Sequence, residues 1–206
     1  MINNIIQQIA IMAPPFLLAI TFHEFCHGYV AWRLGDPTAK NAGRLTMNPL
    51  KHLDPLGVLA FIIMRIGWAK PVPVNATYFR NPVKDMMWVA VAGPVANLAL
   101  ALGSAVAMKL LVMTEPFVPN IVLVPLYNMV AVSIWFNLVL CIFNLLPIPP
   151  LDGSRILAHF LPLRSAMLFY RLEPFGFIIL LLLFYLGIIP KLIMPLTSFA
   201  HNLITG

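Results

Sequence analysis

Four stretches of the chain are long and apolar enough to cross a bilayer, which takes about 20 mainly apolar residues per helix. They run over about residues 5–34, 86–113, 121–146 and 174–196. A water-soluble fold could not hide four such runs. Only 10% of the 206 residues are charged, against about 25% in a typical soluble domain. Disorder is excluded as well, because disordered chains are poor in apolar residues. The expected fold class is an all-α, multi-pass membrane bundle forming one domain over residues 1–206.

A fifth apolar run, residues 56–66, is too short to span. It suits a re-entrant or interfacial element, since irregular backbone at membrane depth is tolerated only against protein or a watery cavity. Basic residues give the orientation. Residues 33–84 hold eight: Arg33, Lys40, Arg44, Lys51, Arg65, Lys70, Arg80 and Lys84. Residues 114–120 hold none, and residues 147–173 hold Arg155, Arg164 and Arg171. The positive-inside rule places 33–85 and 147–173 in the cytoplasm and both termini outside. That requires 56–66 to enter and leave on one side.

The net charge of +6 is spread through these connections, not gathered into a face for nucleic acid. Cys26 and Cys141 both lie in apolar runs, which argues against a disulfide framework. The first apolar run lacks a basic leader and reads as a retained membrane segment.

The sharpest chemical signal is His23-Glu24-Phe25-Cys26-His27. Residues four apart share one helix face, so both imidazoles can bind one metal ion. Glu24 lies about 60° around the helix from His27, where it can take a proton from water activated by the metal. Ionisable side chains inside a membrane helix are costly and mark function. Hydrogen bonding between helices is the plainer alternative.

A catalytic zinc site usually has three protein ligands, commonly two His and a carboxylate. Glu115 is on the wrong side of the membrane. Asp36, Asp54 and Asp85 sit where capping and turn formation account for them. Asp152 lies in Pro147-Ile148-Pro149-Pro150-Leu151-Asp152-Gly153, where prolines end the helix and the glycine permits a tight backbone. Asp152 is the expected third ligand.

His23-Glu24-x-x-His27, Gly93-Pro94-x-x-Asn97 and Asn144-x-x-Pro147-x-Pro149-x-x-Asp152-Gly153 resemble the three core motifs of the site-2 protease family of intramembrane zinc metalloproteases. The runs Gly43-Arg44-Leu45-Thr46-x-Asn48-Pro49 and Gly67-Trp68-Ala69-Lys70-Pro71-Val72-Pro73-Val74 resemble its compact prokaryotic branch. The likeness covers about residues 22–157. It implies a three-helix catalytic core, a re-entrant hairpin over about 56–74 between its first two helices, and cleavage of transmembrane protein substrates near the cytoplasmic face. It implies one Zn²⁺ per chain, and it suggests that Asn144 holds the substrate backbone or the oxyanion.

Asn97 is open to the same reading, though plain hydrogen bonding between helices would also explain an amide there. His52 could reach the site from its loop, but a turn histidine is the simpler account. His159 and His201 show no partner pattern. Cys26 could border the metal, although a buried structural thiol is commoner.

These features point to a zinc endopeptidase in the cell membrane, with the lipid bilayer and a transmembrane substrate as partners, no nucleic acid, and the oligomeric state open. The alternative is a zinc transporter or a non-catalytic zinc-binding membrane protein. A transporter should string its ligands along a path, often in repeated halves, and neither pattern is present.

Overall fold

The computed structural model describes every residue except Met1, Arg65 and Ile66. The far end of the 56–66 run, and Arg65 of the basic count, therefore lie outside the described residues. Among those residues the chain is built of eight α-helices, with no β-strand beyond one isolated bridge. Four helical segments are long and apolar enough to span: Ile6–Arg33, Pro82–Met113, Asn120–Asn144 and Arg164–Tyr185.

The first helix, α1 (Ile2–Arg33), runs straight through Pro14 and Pro15. Membrane helices tolerate such prolines because neighbouring groups satisfy the freed carbonyls. After a short α2 (Thr38–Asn41) and α3 (Pro55–Met64) comes α4 (Pro82–Met113). Its start is fixed by a reciprocal cap. Asn81 Oδ1 accepts from Lys84 N–H at 3.2 Å, and Asp85 Oδ2 accepts from Asn81 N–H at 3.0 Å, with Pro82 in the first helical position.

The next helix, α5 (Asn120–Asn144), returns against α4. Ala101 and Ala105 of α4 meet Ile134 and Leu138 of α5, all four buried. Small residues let two helix backbones approach closely where lipid supplies no hydrophobic drive. With α1 packed on both, α1, α4 and α5 form the expected three-helix core. Around it stand exposed Leu102, Val106, Leu182 and Phe199, an apolar exterior suited to lipid.

The fourth apolar run folds differently from the expectation of one helix over 174–196. Pro174 lies inside α7 (Leu163–Tyr185). Gly187, at φ 70°, then makes a left-handed turn before α8 (Ile188–Thr205). Glycine populates that region without steric cost, so the run breaks where hydropathy alone sees continuity. Ile189 and Ile193 of α8 pack on Leu146 and Leu151, beside the segment that carries Asp152.

The short fifth apolar run is helical over most of its described length. Residues 55–64 form the α3 helix, capped by Asp54, whose Oδ1 accepts from Leu56 N–H at 2.8 Å. An antiparallel bridge pairs Leu53 with Ala69, and Lys70 N–H donates to His52 O at 2.9 Å. The segments before and after α3 are thus clasped together. A carboxylate secures the following stretch to the end of α1. Asp36 is fully buried; its Oδ1 accepts from Thr38 N–H, and its Oδ2 from Asn75 N–H at 2.7 Å. This is the turn and capping role expected of it.

Candidate metal centre

Each of the three proposed ligands is brought in by a different local device. His23 and His27 stand one turn apart on α1 and are both buried. Their rings make an edge-to-face pair with centroids 4.5 Å apart. Gly93 of α4 faces them, and a Cβ added there would lie 2.4 Å from His27 Nε2 and 2.6 Å from His23 Nε2. Only glycine leaves room for both imidazoles at this crossing.

Asp152 arrives from the far end of the chain at the first residue of α6 (Asp152–Phe160). Gly153 permits this by close approach, since a Cβ there would fall 2.2 Å from the carbonyl oxygen of Leu145. The helix is thereby tucked under the end of α5. Asp152 Oδ2 lies 3.3 Å from His23 Nε2 and 3.2 Å from His27 Nε2, and the two Nε2 atoms are 2.9 Å apart.

The protonation pattern can be worked out from the partners. His27 Nδ1 lies 2.7 Å from the carbonyl oxygen of Val89, which can only accept, so Nδ1 carries the proton. His23 Nδ1 lies 2.7 Å from Asn97 Oδ1. Asn97 turns its nitrogen to Ala19 O at 3.1 Å and Asn137 Oδ1 at 2.9 Å, so its oxygen faces the ring and His23 Nδ1 is again the donor. In the neutral rings both Nε2 atoms therefore present lone pairs.

Three electron-pair donors thus converge within 4.8 Å of one another, and the buried Asp152 Oδ2 has no hydrogen-bond partner. Such a group calls for a cation at its centre. Two neutral imidazoles and one carboxylate are the donor set that zinc takes. Each histidine is held through its other nitrogen by an acceptor, as metal-ligating histidines usually are. The residues fit a bound zinc ion.

Glu24 follows His23 on α1 and is half-buried. Its Oε2 accepts from Val72 N–H at 2.8 Å, which ties the proposed base to the extended stretch after α3. Arg44 braces that stretch, donating from a guanidinium nitrogen to Lys70 O at 2.6 Å.

Residues 11–186 match peptidase family M50. The chain belongs to that family. It is therefore a metallopeptidase, as its helix-borne His/Glu motif leads one to expect. Among similar proteins, YwhC of Bacillus subtilis (strain 168), provisionally named as a zinc metalloprotease, is 42% identical over 171 residues, covering 82% of this chain and 77% of its own length. Rip2 of Mycolicibacterium smegmatis (strain ATCC 700084 / mc(2)155), named in the same way, is 32% identical over 176 residues. Rip2 of Mycobacterium tuberculosis (strain ATCC 25618 / H37Rv) is 32% identical over 174 residues. The matches cover 82% of this chain but 64% of each Rip2 protein. No solved structure matches the chain.

The remaining candidates sort by their contacts. Asn97 bonds His23 itself, so its place is behind a proposed ligand, oriented toward the ring. Asn144 donates to Leu140 O, one turn back in its own helix, at 2.9 Å. His52 is fully buried, its Nε2 donating to Thr46 O at 2.9 Å, which is the turn role and not a place in the cluster. His201 stands edge-on to Trp135, and His159 to Phe160. Cys26 is a free, half-buried thiol. His52→Asn is accordingly expected to keep the full metal content of the purified protein; loss of metal would draw His52 back into the site.

Sequence reasoning missed Asn137. Its amide lies in the middle of α5 and is 1% exposed. The signal available was a polar side chain within an apolar helix, which is costly unless partnered.

Proposed function

We propose that the chain is an intramembrane zinc endopeptidase, one domain holding one Zn²⁺, which hydrolyses peptide bonds in transmembrane segments of membrane proteins near the cytoplasmic face. The observation that carries this reading is the convergence of His23 Nε2, His27 Nε2 and Asp152 Oδ2 within 4.8 Å, inside a bundle of membrane-length helices and next to Glu24. The relatives named as zinc metalloproteases support the metal. The eight Lys and Arg of residues 33–84 support a cytoplasmic site, with both termini outside.

Held by His23, His27 and Asp152, zinc supplies Lewis acidity that makes water easier to deprotonate and polarises a carbonyl. The residues of the chain do the rest. Glu24 takes the water's proton on a carboxylate oxygen and passes it to the nitrogen of the departing amine. The Val72 N–H holds Glu24 Oε2, so the carboxylate meets the water from a fixed direction. Asn144 stands eight residues before Asp152 at the last turn of α5; its second amide proton suits a substrate carbonyl or the oxyanion. A substrate helix has to unwind to offer its peptide bond. The extended backbone of residues 67–75, rather than the α3 helix, is the segment suited to pair with it.

Glu24→Gln tests the function. The variant is expected to keep stoichiometric zinc and lose turnover by about a hundredfold or more, the usual contribution of a positioned general base. Comparative membrane proteomics of cells carrying wild type and variant should find uncleaved transmembrane proteins accumulating only with the variant. Unchanged processing would end the proposal, and metal transport surviving in the variant would favour the transporter.

A further inference from the structure

The polar contacts of His23 do not stop at Asn97. A chain of amides runs from the ring into the apolar middle of the bundle, and each link sets the direction of the next. It is anchored at the Ser133 carbonyl, which can only accept. Asn137 Nδ2 donates to Ser133 O at 2.9 Å and stands 3.3 Å from Ser133 Oγ, which fixes Asn137 with its oxygen pointing away. That oxygen accepts from Asn97 Nδ2 at 2.9 Å. Both protons of the Asn97 amide are then committed, to Asn137 and to Ala19 O. Only its oxygen is left for His23.

We propose that Asn137 is a positioning residue for metal binding: through Asn97 it holds His23 as the Nδ1–H tautomer, so that the Nε2 lone pair faces the site before any metal arrives. The inference rests on the zinc reading above. Its physical basis is that Asn97 and Asn137 are 0% and 1% exposed, so no water stands by to replace a missing partner. Without the Asn137 oxygen, one Asn97 proton is buried and unpaired, which is costly. The amide then has one partner fewer holding its orientation. An Asn97 nitrogen turned toward the ring would favour the other tautomer, with a proton on Nε2 where the metal should sit. The bond to Ala19 O is then all that opposes such a turn.

The test measures the zinc affinity of the purified full chain in detergent by competition with a chromophoric chelator. Asn137→Leu removes the acceptor at similar volume. Asn137→Thr removes it more mildly, because a threonine hydroxyl turns back to its own helix carbonyl, and it carries the test if the leucine variant does not fold. Both are expected to bind zinc about tenfold to a hundredfold more weakly than wild type, the usual effect of losing an outer-shell partner. Asn137→Asp is the rescue. Burial keeps that carboxyl neutral, and a neutral carboxyl restores an acceptor toward Asn97 and a donor toward Ser133, so most of the affinity should return. Wild-type affinity in Asn137→Leu or Asn137→Thr, or an Asn137→Asp as weak as they are, overturns the proposal. Wild-type protein that binds no zinc would overturn the zinc reading itself, and this inference with it.

Discussion

Asp152→Ala is expected to purify folded but without zinc and without peptidase activity. The aspartate supplies the only negative charge among the three converging donors, and its Oδ2 sits 3.2–3.3 Å from both Nε2 atoms. Removing one partner from a buried charged arrangement costs on the order of 3–5 kcal/mol, or roughly two to four powers of ten in affinity. Two neutral imidazoles remain, and two protein ligands rarely suffice for a catalytic site. Asp152→Asn should weaken binding as well, because without its charge less offsets the cost of holding Zn²⁺ away from water. Metal content by mass spectrometry, set beside the thermal unfolding of each variant, decides it. Full zinc occupancy in Asp152→Ala would remove Asp152 from the site.

The same residue shows how far sequence reasoning reaches. The His23–His27 spacing fixes a shared face from helix geometry alone, whereas Asp152 depends on how a distant segment docks. Elimination among seven acidic residues left Asp152 as the candidate, and the structure places it against both histidines. The apolar runs located three of the four spanning helices to within a few residues. They failed at the fourth because hydropathy is blind to backbone. Pro174 is absorbed into α7, and a left-handed turn at Gly187 divides what reads as one run. The run after residue 55 was legible as too short to span, but not as helical, since periodicity cannot classify so brief an apolar stretch. Asn97 was legible as a polar residue of interest, while its bond to His23 and its dependence on Asn137 are facts of packing between α1, α4 and α5. No pattern within one helix encodes them.

Gly93 gives the second large effect, and it comes from space alone. Gly93→Ala is expected to abolish zinc binding and activity while leaving the helices formed. Alanine is the better helix former, by about 1 kcal/mol, so α4 itself loses nothing. The added methyl, however, would lie 2.4 Å from His27 Nε2, 2.5 Å from His23 Cε1 and 2.6 Å from His23 Nε2, well inside van der Waals contact. Neither ring can yield freely, because His27 Nδ1 is held by Val89 O and His23 Nδ1 by Asn97. Relief has to come from breaking one of those bonds or from moving α4 away from α1. Either change spreads the donors, and a carboxylate and two imidazoles moved about an ångström further apart than they stand here no longer offer zinc three bonds of roughly 2.0–2.2 Å. Gly103, on the same helix, is the control: a Cβ there meets nothing within 4 Å, so Gly103→Ala should keep both zinc and activity. The pair of variants, read by metal content and by helicity from circular dichroism, separates a steric demand at the site from a general intolerance of α4 to substitution. A Gly93→Ala protein with wild-type zinc would mean that the two imidazoles do not meet α4 as closely as the structure has them.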